Sequence, residues 1–559
     1  MPWNKLLSPA LGVPVWTAVL TVALLAYQNK FGSNVPVADE WDIAPQLRQS
    51  VDRGEVLGWL ALRHNEHYYP LSRAVYAAVM VASGYDFHSG MVASVLALGG
   101  AAWLFASAAR RRRGYAVWAD LLLPALVLNW GAGDNVTMGY QLAFTLEVLS
   151  SAFAVWVVVA DRGGRRWDAA AAFALVVLAL NGVAGLLAAA PLLGWVLYRA
   201  SRSPSPRWWK LAAAYLPAAA VVSYGVWAIV GGDRAAGLPS AIDSPSQFLS
   251  VAGQFLAVGL GTFVITEDWR GPAAVALTVY VAAAAVLARD FATRPADRAV
   301  AVGLAAVLLG VLGMAAGVAA VRGGGLVERY ATLSAVGLAT AWVSLSRGLP
   351  SSALVNGAGV VAAVVLFVVN VLPGDHFGQV RQMYCRVLEG SVREGLPPSC
   401  VADRFRGPLF DQDHFRGRLE LLRDLGFTTF KDMQPEPVAV AVVGERPAAG
   451  VIEAPLALPT PADRRKVFAV RVSYAVADDV AWQQLTLTWT GTGGVPKRSS
   501  VYPSRRRGPQ SSTFYVNDAV AAAHLAVGRP EAHLSVVGVE WLYAVDPAER
   551  VTPSSPPAR

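Results

Sequence analysis

Charge is scarce in this chain of 559 residues: only 15% of the residues are charged, whereas 55% are hydrophobic. Soluble domains carry about 25% charged residues, so the composition excludes an ordinary soluble globular protein. Cysteine is also rare, with two residues in the chain, and no Cys/His spacing is typical of a zinc site. A mean hydropathy of +0.42 points to a chain that is solvated by lipid.

Apolar segments long enough to cross a bilayer recur from residue 10 to residue 372. A helix of about 20 apolar residues spans the hydrocarbon core, and the segments predict about eleven transmembrane helices. The first segment lacks a small-residue cleavage site and many spans follow, so it is interpreted as a retained span and not as a signal peptide. The predicted spans are residues 10–27, 91–109, 115–130, 142–160, two short helices within 169–198 on either side of Asn181 and Gly182, 211–230, 272–288, 299–321, 331–346 and 352–372, with 247–265 as a re-entrant or interfacial helix.

The net charge of +8 comes largely from arginines in short blocks between the apolar segments. This spacing is typical of the positive-inside rule, which sets membrane orientation, and it argues against a nucleic-acid partner. Taking the blocks as cytoplasmic places the amino terminus inside the cell, and residues 28–90 and the chain after residue 372 outside. The sequence therefore predicts a multi-pass protein of the cell membrane. The blocks lie at residues 110–113, 162–166, 199–210 and 289–298.

The last part of the chain differs from the membrane region of residues 1–372 in its pattern of polar and apolar residues. Residues 373–436 show helical spacing, whereas residues 437–545 contain short alternating runs that predict an extracytoplasmic β-sandwich domain. Residues 546–559 are predicted to be disordered. Both cysteines, Cys385 and Cys400, fall in the helical linker. A disulfide between them agrees with an outside location, because disulfides persist in oxidising compartments; two unpaired thiols are the alternative.

An acidic motif, "ADEWD", follows the first predicted span and contains Asp39 and Glu40. A second element, "NEH", comes later in the same loop. Together with the layout of residues 1–372, these motifs resemble the GT-C superfamily of integral-membrane glycosyltransferases. The protein mannosyltransferase and aminoarabinose transferase branches of that family often carry Asp-Glu after the first span. The resemblance implies a polyprenyl-phosphate-linked sugar as donor and a cell-envelope glycan, lipid or protein as acceptor.

The resemblance carries the family's catalytic aspartate over to Asp39, with Glu40 as its neighbour. A carboxylate at the boundary between water and lipid is suited to take the proton of an acceptor hydroxyl. Two adjacent carboxylates repel each other, so the pKa of one of them is expected to be raised. A solvated loop is the alternative interpretation.

Cations are needed opposite the phosphate leaving group, and arginine matches phosphate oxygens well. Arg322 and Arg329, in "VRGGGLVERYATL", stand at predicted outer ends of spans, where arginine is not expected. They are predicted to contact the phosphate, with Tyr330 beside them as a substrate-binding residue. The alternative is that both reach the interface as lipid-anchoring side chains, with Arg329 paired to Glu328.

Other polar residues of the predicted outer face are further candidates for substrate or metal binding. The pair in "NEH" binds sugar or metal, or lies on an interfacial helix anchored by aromatic residues. A glutamate near the outer end of one span marks a functional site or simply reaches water. Some GT-C enzymes use a divalent metal and others do not, so the sequence leaves the cofactor open. These candidates are Glu66, His67, Asp134, Asn135, Glu147, Glu267, Asp268 and Arg270.

Two other classes of function compete with the glycosyltransferase. A transporter or flippase for lipid-linked saccharides is expected to carry ionisable residues at mid-membrane, often in repeated halves. A polymerase or ligase of diphosphate-linked glycans is expected to use arginine and histidine of a large late outer loop. No internal repeat is evident and the acids lie at the outer interface, so the enzyme is favoured.

Overall fold

The fold is described from a computed structural model. The structure describes residues 8–64, 68–202, 223, 244–266, 268–321, 325–350, 352–404, 412–433, 442–443, 453–455, 467–476, 485–491, 494–501, 508–518, 520–527 and 534–543. The chain divides into two compact units, Met1–Cys385 and Arg386–Arg559.

The described part of the first unit is helical. Its helices are α1 (Pro9–Phe31), α2 (Glu40–Asp52), α3 (Val56–Leu60), α4 (Pro70–Ala82), α5 (Phe87–Arg113), α6 (Leu122–Val127), α7 (Gly133–Val136), α8 (Leu142–Ala160), α9 (Arg165–Ala179), α10 (Val183–Ser201), α11 (Pro245–Val258), α12 (Phe263–Thr266), α13 (Arg270–Thr293), α14 (Arg298–Val321), α15 (Tyr330–Ser346) and α16 (Ala353–Arg393), and α16 continues into the second unit. Short 3-10 turns lie at Trp118–Leu121, Trp130–Ala132, Gly139–Gln141 and Pro295–Asp297.

Seven helices among the described residues are long and apolar enough to cross a membrane. Two shorter apolar helices, α4 and α15, accompany them. This supports the prediction of a membrane protein, while the predicted number of eleven spans is not tested, because residues 211–222 and 224–230 lie outside the described part. The seven are Pro9–Phe31, Phe87–Arg113, Gly139–Ala160, Val183–Ser201, Arg270–Thr293, Pro295–Ala320 and Ala353–Arg393.

The predicted span at residues 115–130 is not one helix. The chain crosses this region in short helical pieces, with Pro124 inside α6 and the Asn129 side chain accepting a hydrogen bond from Gly131 N. It leaves the carboxyl end of α5 at Gly114 and reaches Gly139, which lies against Gly90 at the other end of α5. The apolar residues predicted a continuous helix here. Asparagine side chains compete for the backbone hydrogen bonds and glycine gives the backbone more freedom, so the helix is interrupted.

The two predicted helices on either side of Asn181 and Gly182 are confirmed as α9 and α10. Gly182 adopts a φ of 101°, a conformation that favours glycine. A Cβ atom there would lie 2.4 Å from the ring of Tyr69. Helix α4 docks onto this break, because Leu71 N donates to Leu180 O at 3.2 Å. The break therefore positions α4, the helix that follows the loop predicted to lie outside.

The predicted re-entrant segment at residues 247–265 forms α11, which has 14 residues. This helix falls short of the length that spans a bilayer, and its tail, including Phe255, is buried against the helical core. Gly261, with a φ of 114°, then turns the chain next to Asn370 of α16. Asn370 donates to Leu260 O at 3.0 Å, so a backbone carbonyl at the break is satisfied within the protein, as lipid-exposed backbone would require.

Helix α16 extends past the predicted end of the last span at residue 372. It contains 41 residues and runs through Pro373. At 1.5 Å per residue, its length is about 60 Å, roughly twice the hydrocarbon thickness. The predicted boundary between the membrane region and the helical linker therefore lies inside one continuous helix.

The arginine-rich ends of the helices are paired with acids. Arg112 of α5 donates to Asp290 of α13 at 2.9 Å, and both side chains are almost completely buried. These pairs bring together the helix ends that the charge pattern placed on one side of the membrane. The further pairs of this side are Arg113–Asp120, Arg347–Asp297 and Arg199–Asp168.

In the second unit, helices α17 (Pro398–Arg404) and α18 (Gln412–Asp424) precede eight strands. All strand pairs are antiparallel and form two four-stranded sheets, with orders β1-β8-β3-β6 and β2-β7-β4-β5. Inward residues of both sheets, among them Val472, Leu487 and Trp541, belong to one hydrophobic cluster. The strands are β1 (Val442–Val443), β2 (Glu453–Pro455), β3 (Val467–Val476), β4 (Leu485–Gly491), β5 (Pro496–Val501), β6 (Gly508–Asp518), β7 (Val520–Val527) and β8 (Leu534–Tyr543).

The contact between Gly90 and Gly139 allows the chain to approach α5 closely. A Cβ on Gly90 would lie 2.8 Å from Gly139 Cα, and the obstacle is backbone. We expect Gly90→Ala to destabilise the folded protein by about 1–3 kcal/mol, as overpacking does. Gly194→Ala, in α10 with nothing within 4 Å, is the matched control and is expected to be neutral or stabilising. Thermal unfolding of the purified variants in detergent measures both; equal melting temperatures would contradict the expectation.

Candidate active site

The acidic motif forms the turn between α1 and α2. Ala38 has a φ of 48°, which is uncommon for a residue other than glycine. Asp39 directly precedes α2, and its carbonyl accepts from Ile43 N at 3.0 Å. Its side chain is 39% exposed. The turn therefore presents one carboxylate of the motif to solvent just beyond the end of the first span.

The neighbouring carboxylate, Glu40, is completely buried. Its Oε2 accepts from Val37 N at 3.1 Å, and its Oε1 accepts from Tyr140 N at 3.1 Å and from Tyr76 Oη at 3.3 Å. Glu40 thus connects the loop after α1 to the turn that begins the span Gly139–Ala160. These bonds give Glu40 a structural role in the loop, and its predicted catalytic role stays a prediction.

Burial raises the pKa of Glu40 from its ordinary value of 4.5 to about 8. The hydrogen bonds from Val37 N, Tyr140 N and Tyr76 act in the opposite direction, as does the charge of Arg381. The sequence predicted a raised pKa for one acid of the pair, but from repulsion between the two carboxylates. The direction of the pKa shift agrees with that prediction, but its physical cause is desolvation of Glu40 and not repulsion.

The raised pKa predicts how stability changes with pH. Between pH 4.5 and about 8 the folded protein keeps a proton on Glu40 that the unfolded chain loses. The contribution of Glu40 to stability therefore falls as pH rises through this window and levels off above it. We expect the melting temperature of wild type to fall relative to Glu40→Gln between pH 5 and pH 8, by on the order of 5 °C. The melting temperature of Glu55→Gln, at an exposed acid, should equal that of wild type at every pH. A constant difference in melting temperature between wild type and Glu40→Gln across this range would contradict the raised pKa of Glu40.

His64 is a neighbour of Asp39 that the sequence did not single out. Its Nε2 lies 3.4 Å from Asp39 Oδ1, and its ring meets the Tyr140 ring edge-to-face at a centroid distance of 6.0 Å. The predicted "NEH" element begins at the next residue. Glu66 and His67 lie outside the described residues, as do Arg322 and Glu267, so their predicted roles stay predictions.

The segment that contains Asp134 and Asn135 contacts the backbone at Arg329. Asn135 donates through Nδ2 to Arg329 O at 3.1 Å and to Thr332 Oγ1 at 2.9 Å. These bonds connect the α7 turn to the turn before α15. Asn135 therefore joins two segments that the sequence interpretation treated separately, and the prediction that Asp134 and Asn135 face the same cavity as the acidic motif stays a prediction.

Asp134 itself pairs with Arg381 of α16, with Arg381 Nη2 donating to Asp134 Oδ1 at 2.8 Å. Arg381 Nη1 donates to Thr137 Oγ1 at 3.2 Å, and the guanidinium lies 4.9 Å from the ring centre of Phe377. The sequence interpretation missed Arg381, since it ended the last span at residue 372. The helical spacing of Phe377 and Arg381 was the signal that could have found it.

Glu328 is the third acid of this region. Burial and the nearby charge of Asp134 raise its pKa from 4.5 to about 7, although the charge of Arg381 acts in the opposite direction. The cation that acts on Glu328 is therefore Arg381, whereas the sequence suggested Arg329. Glu40, Asp134 and Glu328 thus share the electrostatic field of one arginine.

Two further candidates have apolar or local surroundings. The Tyr330 ring packs against Phe255 and Phe144, with centroid distances of 5.8 and 6.4 Å, so its ring contributes to the hydrophobic core. Asp268 accepts from Arg270 N, the first residue of α13, at 3.1 Å. Neither contact involves the acidic loop.

Glu147 lies inside α8 and is 1% exposed. The alternative that it simply reaches water is therefore wrong. Ser151 Oγ lies 3.4 Å from Glu147 Oε1, and Asn181 donates to Ser150 Oγ at 2.9 Å in the adjoining turn of the helix. Glu147 belongs to a buried polar cluster at the break between α9 and α10.

The described residues contain no group of three His, Cys, Asp or Glu side chains that could hold a metal ion. A metal site that includes Glu66 or His67 would involve residues outside that part. Cys385 is buried, whereas the side chain of Cys400 lies outside the described part. The predicted disulfide therefore stays a prediction.

Comparison with protein-family models finds no match for this chain, and comparison with curated proteins finds none.

Proposed function

We propose that this membrane protein is a GT-C-type inverting glycosyltransferase, with Asp39 as the base that takes the proton of the acceptor hydroxyl. The donor is a polyprenyl-phosphate-linked sugar, and the acceptor is a glycan, lipid or protein of the cell envelope. The single observation that carries the proposal is the contrast within the acidic motif. The Asp39 side chain is partly exposed, at 39%, beyond the first span, whereas Glu40 is buried and holds the loop in place.

The surroundings of Asp39 suit such a reaction. His64 Nε2 lies 3.4 Å from its carboxylate. Arg381, with the Asp134 pair, supplies positive charge to the same region, and Arg322 and Arg329 are proposed to contact the donor phosphate. A general base must come within hydrogen-bond reach of the hydroxyl it deprotonates, and an exposed aspartate on a fixed turn meets that condition.

The proposed orientation follows the charge pattern. The arginine-rich ends face the cytoplasm, the acidic loop faces outward, and the C-terminal unit is an extracytoplasmic β-sandwich built from the two four-stranded sheets. The shared hydrophobic cluster of the two sheets supports the sandwich. In this arrangement the reaction takes place at the outer interface, where the headgroup of a lipid-borne sugar lies.

The proposal is tested with the full chain reconstituted in lipid nanodiscs. A panel of radiolabelled polyprenyl-phosphate sugars is supplied with a cell-envelope acceptor fraction, and release of polyprenyl phosphate is measured. One donor should give acceptor-dependent release that heat-denatured protein does not give. Absence of release with every donor and acceptor fraction contradicts the proposal.

A transporter for lipid-linked saccharides is the second candidate. Two observations favour it: the buried Glu147 within a span and the short helical pieces at residues 118–141 and 245–266, since transporters use ionisable residues and broken helices at mid-membrane. Translocation of a fluorescent lipid-linked saccharide, lost in Glu147→Gln and without polyprenyl-phosphate release, would favour this function. A polymerase or ligase of diphosphate-linked glycans would instead release polyprenyl diphosphate.

A further inference from the structure

Arg73 is a buried cation next to the acidic loop. It lies in the first turns of α4, and its side chain is inaccessible to solvent. Nη1 donates to Trp59 O at 2.5 Å, and the guanidinium carbon lies 4.9 Å from the Trp59 ring centre. One of its nitrogens is thus used to hold α3 against α4.

The other guanidinium nitrogens have no such use. By distance and angle, Nε and Nη2 of Arg73 and the hydroxyl of Tyr140 are buried without a hydrogen-bond partner among the described residues. Arg73 nevertheless acts on that hydroxyl through its charge and as a hydrogen-bonding neighbour, so the two groups lie side by side. Asp39 and His64 border the pair on the side nearer to solvent, with 39% and 13% of their side chains exposed.

A buried cation without a counter-charge is costly, because it has lost its hydration and gained little in return. The same chain satisfies its other buried arginines with acids, as Arg112 with Asp290 shows. A hydrophobic side chain would fill the place of Arg73 at lower cost, so its guanidinium is best explained by an anion that is present only in the working protein.

We propose that Arg73, Tyr140 and His64 form a phosphate-binding site at the base of the first outer loop. The free edge of the Arg73 guanidinium offers two N–H groups in the planar arrangement that fits phosphate oxygens. The Tyr140 hydroxyl and His64 Nε2 add donors of complementary type. The ligand is the phosphate group of a polyprenyl phosphate, an identification that rests on the proposed function, whereas the phosphate chemistry does not.

The test measures binding and needs no sugar transfer. Full-length protein in nanodiscs is titrated with undecaprenyl phosphate, and the affinity is obtained from the change in tryptophan fluorescence and from the shift in melting temperature. Arg73→Met keeps the length of the side chain and removes the charge. We expect about 10- to 100-fold weaker binding, as for a lost hydrogen bond to a charged group, with the melting temperature of the ligand-free protein unchanged or raised.

Tyr140→Phe is the second variant, and it tests the same site if Arg73→Met does not fold. Arg73 is the hydrogen-bonding neighbour of its hydroxyl, so removal of the hydroxyl should leave the fold intact and weaken binding several-fold. Arg48→Met is the matched control. Arg48 also lies over an aromatic ring, at 4.9 Å from the centre of Tyr85, but it pairs with Asp52 on the surface. It should bind the lipid like wild type.

Three ligands separate the sources of the signal. Undecaprenyl phosphate should bind, and undecaprenol, which lacks the phosphate, should bind at least tenfold more weakly. Inorganic phosphate binding that is lost in Arg73→Met would support the site and identify free phosphate as a ligand. Wild-type affinity in both Arg73→Met and Tyr140→Phe, or equal binding of undecaprenol, would overturn the inference. Phosphate binding through Arg73 without sugar transfer would refute only the proposed enzyme.

Discussion

Replacing Asp39 by Asn is expected to slow sugar transfer by about 10²- to 10⁴-fold, the range for loss of a positioned general base. Asn has the same shape as Asp and cannot accept the proton of the acceptor hydroxyl. The side chain is 39% exposed, so the substitution should leave the melting temperature within about 1 °C, as surface changes do. Initial rates of polyprenyl-phosphate release with the identified donor measure the effect, and binding of that donor should be retained.

The matched control is Glu55→Gln, which removes a carboxylate from an exposed position of the same loop. It should transfer sugar at the wild-type rate. Glu40→Gln should lower activity only to the extent that it lowers stability, because Glu40 acts by holding the loop in its conformation. A rate above one tenth of wild type in Asp39→Asn would assign the base to another acid.

Replacing Asp290 by Asn should give the largest loss of stability of any substitution considered. The change leaves Arg112 buried without its partner, and breaking one side of a buried pair costs about 3–5 kcal/mol. The 40% exposed Arg294, which lies 3.2 Å from Asp290 Oδ1, can turn to solvent, whereas Arg112, with 1% exposure, cannot. Thermal unfolding in detergent, followed by loss of monodisperse protein, measures the effect.

The double variant Arg112→Met with Asp290→Leu is expected to recover most of that loss, since buried ion pairs can be replaced by apolar side chains at little net cost. Asp52→Asn provides the matched control, because Asp52 forms an exposed pair with Arg48 at 3.0 Å. Such surface pairs contribute less than about 1 kcal/mol. Similar melting temperatures for Asp290→Asn and Asp52→Asn would contradict the importance of the buried pair.

Apolar length predicted the long helices well, since a helix in lipid must satisfy its own backbone and must be apolar outside. The break at Gly182 was also predictable, because glycine and asparagine interrupt an otherwise apolar run. Apolar length could not predict the short pieces between residues 114 and 141, where the backbone is satisfied by residues distant in sequence. Nor could it place the end of α16, because helix geometry continues after the apolar residues stop.

The candidate site was predictable at the level of its motif and not at the level of individual roles. Adjacent positions Asp39 and Glu40 look equivalent in sequence, yet the helical start at Glu40 directs one carboxylate inward and leaves the other at the surface. Arg73 and Arg381 were missed because their importance depends on their surroundings in the fold. Arg73 has few hydrogen-bond partners, and Arg381 pairs with Asp134, which lies 247 residues earlier in the chain.

The hydrogen bond between Tyr140 N and Glu40 also sets an order of events during synthesis. Its two partners are separated by 100 residues. At a rate of about 5–20 residues per second, the ribosome needs roughly 5–20 s to make the second partner after the first. During that time the acidic turn lacks its bond to residue 140, and Glu40 has only Val37 N and Tyr76 Oη as native partners. The loop after α1 therefore completes its bonds only after α5 has been made and the next span has begun, so a nascent chain arrested before residue 140 should be cleaved by protease in this loop more readily than the full chain.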